Sequence, residues 1–141
     1  DWLAELAIEL VEELGEARAW QVMQRTGAAV AGRRPLPACD TLGALETAVG
    51  RELAALNWGW ARISARGAGI DIVHGAYPIA PAPADPAGGW FAAVLEGLYT
   101  QWLGALSGDD ELTAIATARP ESIGDVIPLR YARHGDPRLP L

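Results

Sequence analysis

The chain has 141 residues, of which 50% are hydrophobic, with 18 acidic side chains, 11 arginines, two histidines and one cysteine. This length supports one domain with a core of its own. The lone Cys39 cannot form an internal disulfide and two histidines cannot make a zinc site, so no metal or cofactor is expected. The formal charge of −7 argues against nucleic acid as a partner. No apolar run approaches the roughly 20 residues of a membrane span.

Residues 2–32 show the pattern of an amphipathic helix. Its apolar stripe consists of four leucines: Leu3, Leu6, Leu10 and Leu14. Glutamates fill the other faces, and acids precede the first base, Arg18, which is an order that suits the helix dipole. Because Gly15 lies inside the pattern, where glycine costs about 1 kcal/mol relative to alanine, we expect a bend there or a break into two helices.

Two further helices are predicted by apolar residues at helical spacing. The first runs from residue 42 to about residue 57, with Asp40 as its predicted N-cap after a proline-containing connector. The second, over residues 91–106, is the strongest helical stripe in the chain and is stopped by Ser107–Gly108. Its apolar positions are so numerous that we expect burial on more than one side.

Four strands are predicted in two pairs. Apolar and polar residues alternate over 58–66 and over 70–73, on either side of a glycine-rich turn, which is typical of a β-hairpin. Segments 112–118 and 126–133 form the second pair, and Pro128 indicates that the last strand lies at a sheet edge. The order α-α-β-β-α-β-β therefore predicts an α+β domain in which helices pack with antiparallel β-hairpins.

Two segments lack such patterns. Prolines and alanines dominate residues 78–89, which predicts an extended loop. Residues 135–141, GDPRLPL, predict a flexible C-terminal tail. A single domain over residues 1–134 is therefore expected.

No set of residues in the sequence is typical of a catalytic site, which needs a nucleophile or metal, a base and a group that orients the base. His74, His134 and Cys39 have no evident partner and are interpreted as structural or solvated residues. Glu96 lacks the second carboxylate of a glycosidase and is interpreted as an acid paired with an arginine or a helix end. Residues 109–111 lack the spacing of a calcium loop and are interpreted as a solvated turn. We therefore expect no enzyme activity.

Tryptophan is unusually frequent, with six copies. Trp58, Trp60, Trp90 and Trp102 can stack on the apolar faces of sugars, or they can build a core or a subunit interface. The residue types by themselves favour the core or the interface. The alternatives left open are a small-ligand-binding α+β sensor domain and a glucan-processing enzyme.

Four segments have a distinctive sequence: Pro37-Ala38-Cys39 before a helix, Leu56-Asn57-Trp58-Gly59-Trp60, Ile72-Val73-His74 and, most specifically, GGWFAAVLEGLYTQW at residues 88–102. Together they resemble the bacterial cellulose synthase operon protein D family. The resemblance runs from about Gly15 to about Arg133. It gives residues 1–134 as one domain of this family.

The resemblance implies a non-catalytic accessory subunit of bacterial cellulose secretion. It implies dimers that assemble into a cylindrical octamer, whose N-terminal segments line inner passages for glucan chains, and a role in forming crystalline cellulose for the biofilm matrix. On this chain, the passage or partner contact would fall on Trp2, Leu3 and Glu5. The residues expected in the oligomer interface or core are Leu6, Leu10, Leu14, Trp90, Phe91, Leu98 and Trp102.

The implied partners are further copies of the chain, the inner-membrane cellulose synthase complex, glucan chains and, in some organisms, a proline-rich companion protein. The sequence shows no secretion signal and no pair of cysteines. We therefore expect the protein on the cytoplasmic side of the inner-membrane secretion complex, with the periplasm as the alternative.

Overall fold

The computed structural model describes residues 2–78, 90–122 and 124–134, without the side chains of residues 2–4. Its helices are α1 (Trp2–Leu14), α2 (Glu16–Arg33), α3 (Leu42–Leu56) and α4 (Phe91–Ser107), and its strands are β1 (Trp60–Arg66), β2 (Gly69–Gly75), β3 (Thr113–Ala116) and β4 (Ile127–Ala132). The fold is α+β, in the predicted element order once the first helix is divided. The predicted loop after Pro78 and the predicted tail at 135–141 lie outside the described residues.

The predicted break at Gly15 separates α1 from α2. Gly15 has φ 80° and ψ 162°, a conformation that residues with a Cβ rarely adopt. Its N–H still donates to the carbonyl oxygen of Val11 at 2.9 Å, and its own carbonyl oxygen accepts from Ala19 at 3.0 Å. The chain thus changes direction at one residue, and among the described helices and strands α1 packs only on α2.

Helix α4 lies at the centre of the molecule. It packs against α2 on one side and against β3 and β4 on the other, so that residues 91–99 are all buried. Gly27 allows the backbones of α2 and α4 to meet, because a Cβ at this position would overlap the carbonyl oxygen of Val94. The apolar stripe predicted over 91–106 is therefore a core helix buried on more than one side, as expected.

Helix α3 begins at residue 42, as predicted, but its N-cap is a different residue from the predicted one. The hydroxyl of Thr41 accepts the N–H of Ala44 at 3.0 Å, so Thr41 is the N-cap instead of Asp40, since its side chain reaches the free donors of the first turn. The Glu46 carboxylate of α3 accepts the N–H of Ile63 at 2.8 Å. This bond occupies a donor on the outer edge of β1 that could otherwise pair with a strand of another molecule.

The four strands form one antiparallel sheet in the order β1-β2-β4-β3. One row of register partners, Ile63, Ile72, Leu129 and Ala116, crosses all four strands on the face that the helices cover. The alternate residues of β1 are exposed on the opposite face. Within the part of the chain that the structure describes, the sheet therefore has one buried face and one open face.

Pro128 does not lie in an edge strand, so that prediction was wrong. Strand β4 lies between β2 and β3. The carbonyl oxygen of Pro128 accepts from the N–H of Thr117 at 2.9 Å, and the nitrogen of a strand residue points to the same side as its carbonyl. The side on which Pro128 lacks an N–H thus faces the chain beyond Ala116, the last residue of β3. An interior strand therefore tolerates this proline.

Candidate functional site

His74 is a core residue bonded at both ring nitrogens. Its Nε2 lies 2.7 Å from the carbonyl oxygen of Trp58, which can only accept, so Nε2 carries the proton. Nδ1 then accepts the hydroxyl of Tyr99 at 2.6 Å. Burial lowers the pKa of His74 to about 4 and raises the pKa of Tyr99 well above its usual range. The imidazole is neutral, and both of its nitrogens form hydrogen bonds within the protein. His74 therefore has a structural role, as predicted.

Glu96 is buried and connects three elements. Its Oε1 accepts the indole N–H of Trp20 at 2.9 Å and the amide of Gln24 at 2.8 Å, and its Oε2 accepts the backbone N–H of Ala116 at 2.8 Å. The interpretation of Glu96 as an acid paired with an arginine or a helix end was therefore wrong. Its partners are neutral donors from α2 and β3, which no local sequence pattern brings to Glu96. All three hydrogen bonds connect α4 to neighbouring elements and therefore have a structural role.

Arg119 lies beside this cluster. Its guanidinium carbon is 4.3 Å from the centre of the Trp20 ring, a cation–π arrangement on the indole that binds Glu96. Sequence reasoning missed Trp20, Gln24 and Arg119, because no local spacing indicates a contact between residues more than 70 positions apart. The one feature of the sequence that indicated these contacts was the position of an acidic residue, Glu96, in the middle of an apolar helix.

The acidic residues 109–111 form the predicted turn. An oxygen of Asp109 accepts the N–H of Glu111 at 2.9 Å, and Arg133 pairs with both carboxylates. Across residues 2–78, 90–122 and 124–134, no group of three or more histidine, cysteine, aspartate or glutamate side chains could hold a metal ion.

A groove of about 310 Å³ opens between α3, the end of α4 and the sheet. Cys39 lies at its margin, with Sγ 3.2 Å from the carbonyl oxygen of Pro37. Two of its polar side chains, Ser107 and Tyr131, bond to each other at 2.9 Å, and Thr41 caps α3. These three groups are engaged within the protein, and the remaining polar side chain of the lining, Asp40, is exposed, so the polar groups do not converge on a ligand as in a small-molecule site. The groove gives little support to the sensor alternative.

The residues predicted for a passage or partner contact belong to α1. The side chains of Trp2 and Leu3 lie outside the described part of the chain, and Glu5 is exposed. Leu6 is 47% exposed, whereas Leu10 and Leu14 are half-buried. Helix α1 therefore turns part of its leucine stripe towards α2 and leaves part of it in solvent. In the described residues no helix has the length and hydropathy of a membrane span.

The other residues predicted for the core or an interface belong to α4 or precede it. Phe91, Leu98 and Trp102 are buried, and the Trp102 indole donates to the carbonyl oxygen of Arg34 at 2.8 Å. Trp90 is half-buried, with its ring centre 5.8 Å from that of Phe91. The first turn of α4 is thus part of an aromatic cluster around Phe91.

The four tryptophans considered as sugar platforms have different environments. Trp102 is buried, and Trp58 is half-buried with its ring at 88° to Phe91 and the centres 5.1 Å apart. Trp60 is 43% exposed, on the open face of the sheet. Trp58 lies before the start of β1, and Gly59 between the two tryptophans has φ 93°, so the regular alternation of a strand does not apply to Trp58 and Trp60.

Comparison with known proteins agrees with the resemblance. The family model of the cellulose synthase D-subunit matches residues 1–132. A cellulose synthase operon protein D of Komagataeibacter xylinus is 30% identical over 131 residues, which cover 92% of this chain and 76% of the relative. The protein of the same name from Komagataeibacter sucrofermentans has the same identity and coverage. Another from Komagataeibacter xylinus is 28% identical over 109 residues, or 76% of this chain and 70% of the relative.

Proposed function

The chain belongs to the cellulose synthase operon protein D family, and from this premise we propose that it is a non-catalytic accessory subunit that organises glucan export and promotes crystalline cellulose. Membership connects the chain with cellulose synthesis and with the synthase complex. In the proposed role, polymerisation belongs to the synthase. The accessory subunit holds the exits of neighbouring glucan chains close together and parallel, so that the chains pair before they tangle.

The observation that carries this proposal is the surface of α1. This helix packs on α2 alone among the described elements, and it exposes 47% of Leu6 and 42% of Val11. Glu5 and Glu9 lie on the same helix and are also exposed. An arm that presents apolar and acidic side chains together suits a contact with another macromolecule better than a reaction site.

The interior supports the same choice. The strongest candidates for acid–base chemistry, His74 and Glu96, use their polar atoms to bind other parts of the fold. A general base must instead reach the proton that it removes from a substrate. Both groups therefore favour an organising protein over a glucan-processing enzyme.

We further propose that the chain forms dimers that close into an octamer, with α1 at the glucan passage or at the contact with the synthase complex. The exposed leucine and valine of α1 would be covered in such an assembly, which is a physical reason for it to form. In organisms that have a proline-rich companion protein, this protein would be a further partner.

The location stays a prediction: the cytoplasmic side of the inner membrane, or alternatively the periplasm. Protease digestion of spheroplasts that express the tagged protein distinguishes the two compartments. Protection until the inner membrane is lysed would support the cytoplasmic side, and digestion of intact spheroplasts would place the protein in the periplasm.

A deletion strain tests the organising role. We expect the secreted cellulose to lose crystallinity in X-ray diffraction, while isolated membranes keep most of their glucose incorporation. Deletion of residues 1–14 alone should weaken ordering in the same way, although the rest of the domain folds. Normal crystallinity combined with abolished incorporation would contradict the proposal, because it would assign the protein to polymerisation.

A further inference from the structure

The open face of the sheet carries an exposed indole ring in a fixed position. Trp60 begins β1 and stands opposite Gly75 on β2. Its ring lies directly over this glycine, because a Cβ on Gly75 would overlap Cζ2 and would lie 2.9 Å from Cη2. One face of the ring thus rests on the backbone of β2, and the residue as a whole is 43% exposed.

The backbone around the ring is unusual. Gly59 has φ 93°, and a Cβ there would lie 2.6 Å from the carbonyl oxygen of Ala76 and overlap that of Gly75. Ala76 itself has φ 54°, in the left-handed region that non-glycine residues rarely adopt. Two glycines and one strained alanine therefore bring the start of β1 against the end of β2. Strain of this kind is found preferentially at functional sites.

The surface next to the ring is apolar. Val73 and Pro128 occupy the next row of the open face, and Val126, just before β4, is 39% exposed. Neighbouring strands lie about 4.8 Å apart, so the surface from β1 to β4 extends about 10 Å across the strands. The guanidinium carbon of Arg62 lies over the Trp60 ring at 5.9 Å from its centre, in a cation–π arrangement that places hydrogen-bond donors beside the indole.

A charged row limits this surface towards the far end of the sheet. Asp71 binds Arg66 at 2.5 Å and Arg130 at 3.0 Å. The same face of a second molecule would bring its own arginines against this group. Since three arginines but one carboxylate lie on the open faces of β1, β2 and β4, pairing of two such faces would juxtapose like charges, which opposes association.

From these observations we propose that the Trp60 surface, consisting of Trp60, Arg62, Val73, Val126 and Pro128, is a glucan-binding platform. A β-linked glucan is flat, with apolar C–H faces and hydroxyls at its edges. One sugar face stacks on the exposed part of the indole, the neighbouring sugar rests on the valines and the proline, and Arg62 donates to the hydroxyls of the sugar. The inference rests on the proposed function for the class of ligand, and it adds a binding surface on a side of the domain remote from the contact predicted in α1.

Binding to cellohexaose and to amorphous cellulose tests the proposal, by calorimetry and by co-sedimentation of the full chain. We expect weak but measurable binding that falls about three- to tenfold in Trp60→Ala, which is the range of one aromatic stacking contact. Trp60→Phe should retain part of the affinity, and Arg62→Ala should weaken it. Ile115→Ala is the matched control, since Ile115 is 38% exposed on the same face but lies in the far edge strand.

The outcomes that would overturn the platform are distinct from those that would overturn the proposed function. No glucan binding at millimolar concentration, or equal binding by wild type and Trp60→Ala, excludes a glucan site here. A smaller oligomer for Trp60→Ala in light scattering, with unchanged glucan binding, would assign the ring to a subunit interface. None of these results bears on the crystallinity of cellulose from the deletion strain, which tests the proposed function separately.

Discussion

Gly97 of α4 lies against the backbone of Gln24 on α2, so closely that neither helix could carry a side chain between them. A Cβ on Gly97 would be 2.6 Å from the carbonyl carbon of Gln24 and closer still to its oxygen. The two central helices are therefore in direct backbone contact. This contact also brings the Gln24 side chain to the carboxylate of Glu96.

Gly97→Ala should consequently destabilise the domain strongly. The added methyl group meets backbone atoms, which cannot rotate away as a side chain can, so we expect a loss of about 3 kcal/mol or more in the free energy of unfolding. Gly104→Ala in the same helix is the matched control. Nothing lies within 4 Å of its Cβ, so a gain of up to about 1 kcal/mol is expected. Urea denaturation measures both, and similar values for the two variants would contradict the close packing.

Glu96→Gln should cost roughly 1–3 kcal/mol, because an amide cannot accept at both oxygen positions. Its NH₂ group must face either the N–H of Ala116 or the two donors from α2. Glu52→Gln, which alters a half-exposed pair with Arg34, should cost less than about 1 kcal/mol. Thermal unfolding distinguishes the two variants.

In the same samples cellooligosaccharides should stay intact. A hydrolysis that disappears in Glu96→Gln would contradict a non-catalytic role.

Trp102→Ala should remove a ring that is 1% exposed together with its bond to the carbonyl of Arg34, at a cost of roughly 3–5 kcal/mol. Trp60→Ala provides the comparison, because Trp60 is 43% exposed and its loss should change the unfolding midpoint much less. If the two variants unfold at the same temperature as the wild type, Trp102 is not part of the core.

Stability should fall between about pH 6.5 and pH 4 because of His74. Burial lowers its pKa to about 4 in the folded state, whereas the unfolded chain binds the proton near the ordinary value of 6.5. Below pH 6.5 protonation therefore favours the unfolded chain, and the full effect of roughly 3 kcal/mol is reached near pH 4. Urea titrations at several pH values measure it. His74→Asn should have a shallower pH dependence, and an equal slope would exclude His74 as the cause.

The full chain should form a closed oligomer of eight copies in solution. The double variant Leu6→Asp and Val11→Asp should yield a smaller species, because it introduces charges into the exposed apolar part of α1 without touching the core. Light scattering on the eluting peak gives the mass, with Glu9→Gln as a surface control. A monodisperse wild-type monomer at micromolar concentration would contradict the assembly, and an unchanged mass for the double variant would exclude α1 from the interface.

Patterns of local spacing were sufficient to predict much of the fold. The stripe over residues 91–106 predicted the buried helix α4, and glycine at position 15 predicted the division of the first helix. Alternation on either side of the turn at residues 67–69 predicted the hairpin of β1 and β2. These features follow from the periods of the helix and the strand and from the conformational freedom of glycine, all of which act between residues close in sequence.

Tertiary structure alone decided which distant residues meet. Pro128 is acceptable in an interior strand because β3 ends beside it, and Glu96 is satisfied by Trp20, Gln24 and the backbone of β3. Trp60 faces solvent because Gly75, 15 positions away in sequence, receives its ring. Each of these outcomes depends on strand order and helix crossing. Both are set by the burial of apolar surface over the whole domain, so they cannot be predicted from a local sequence pattern.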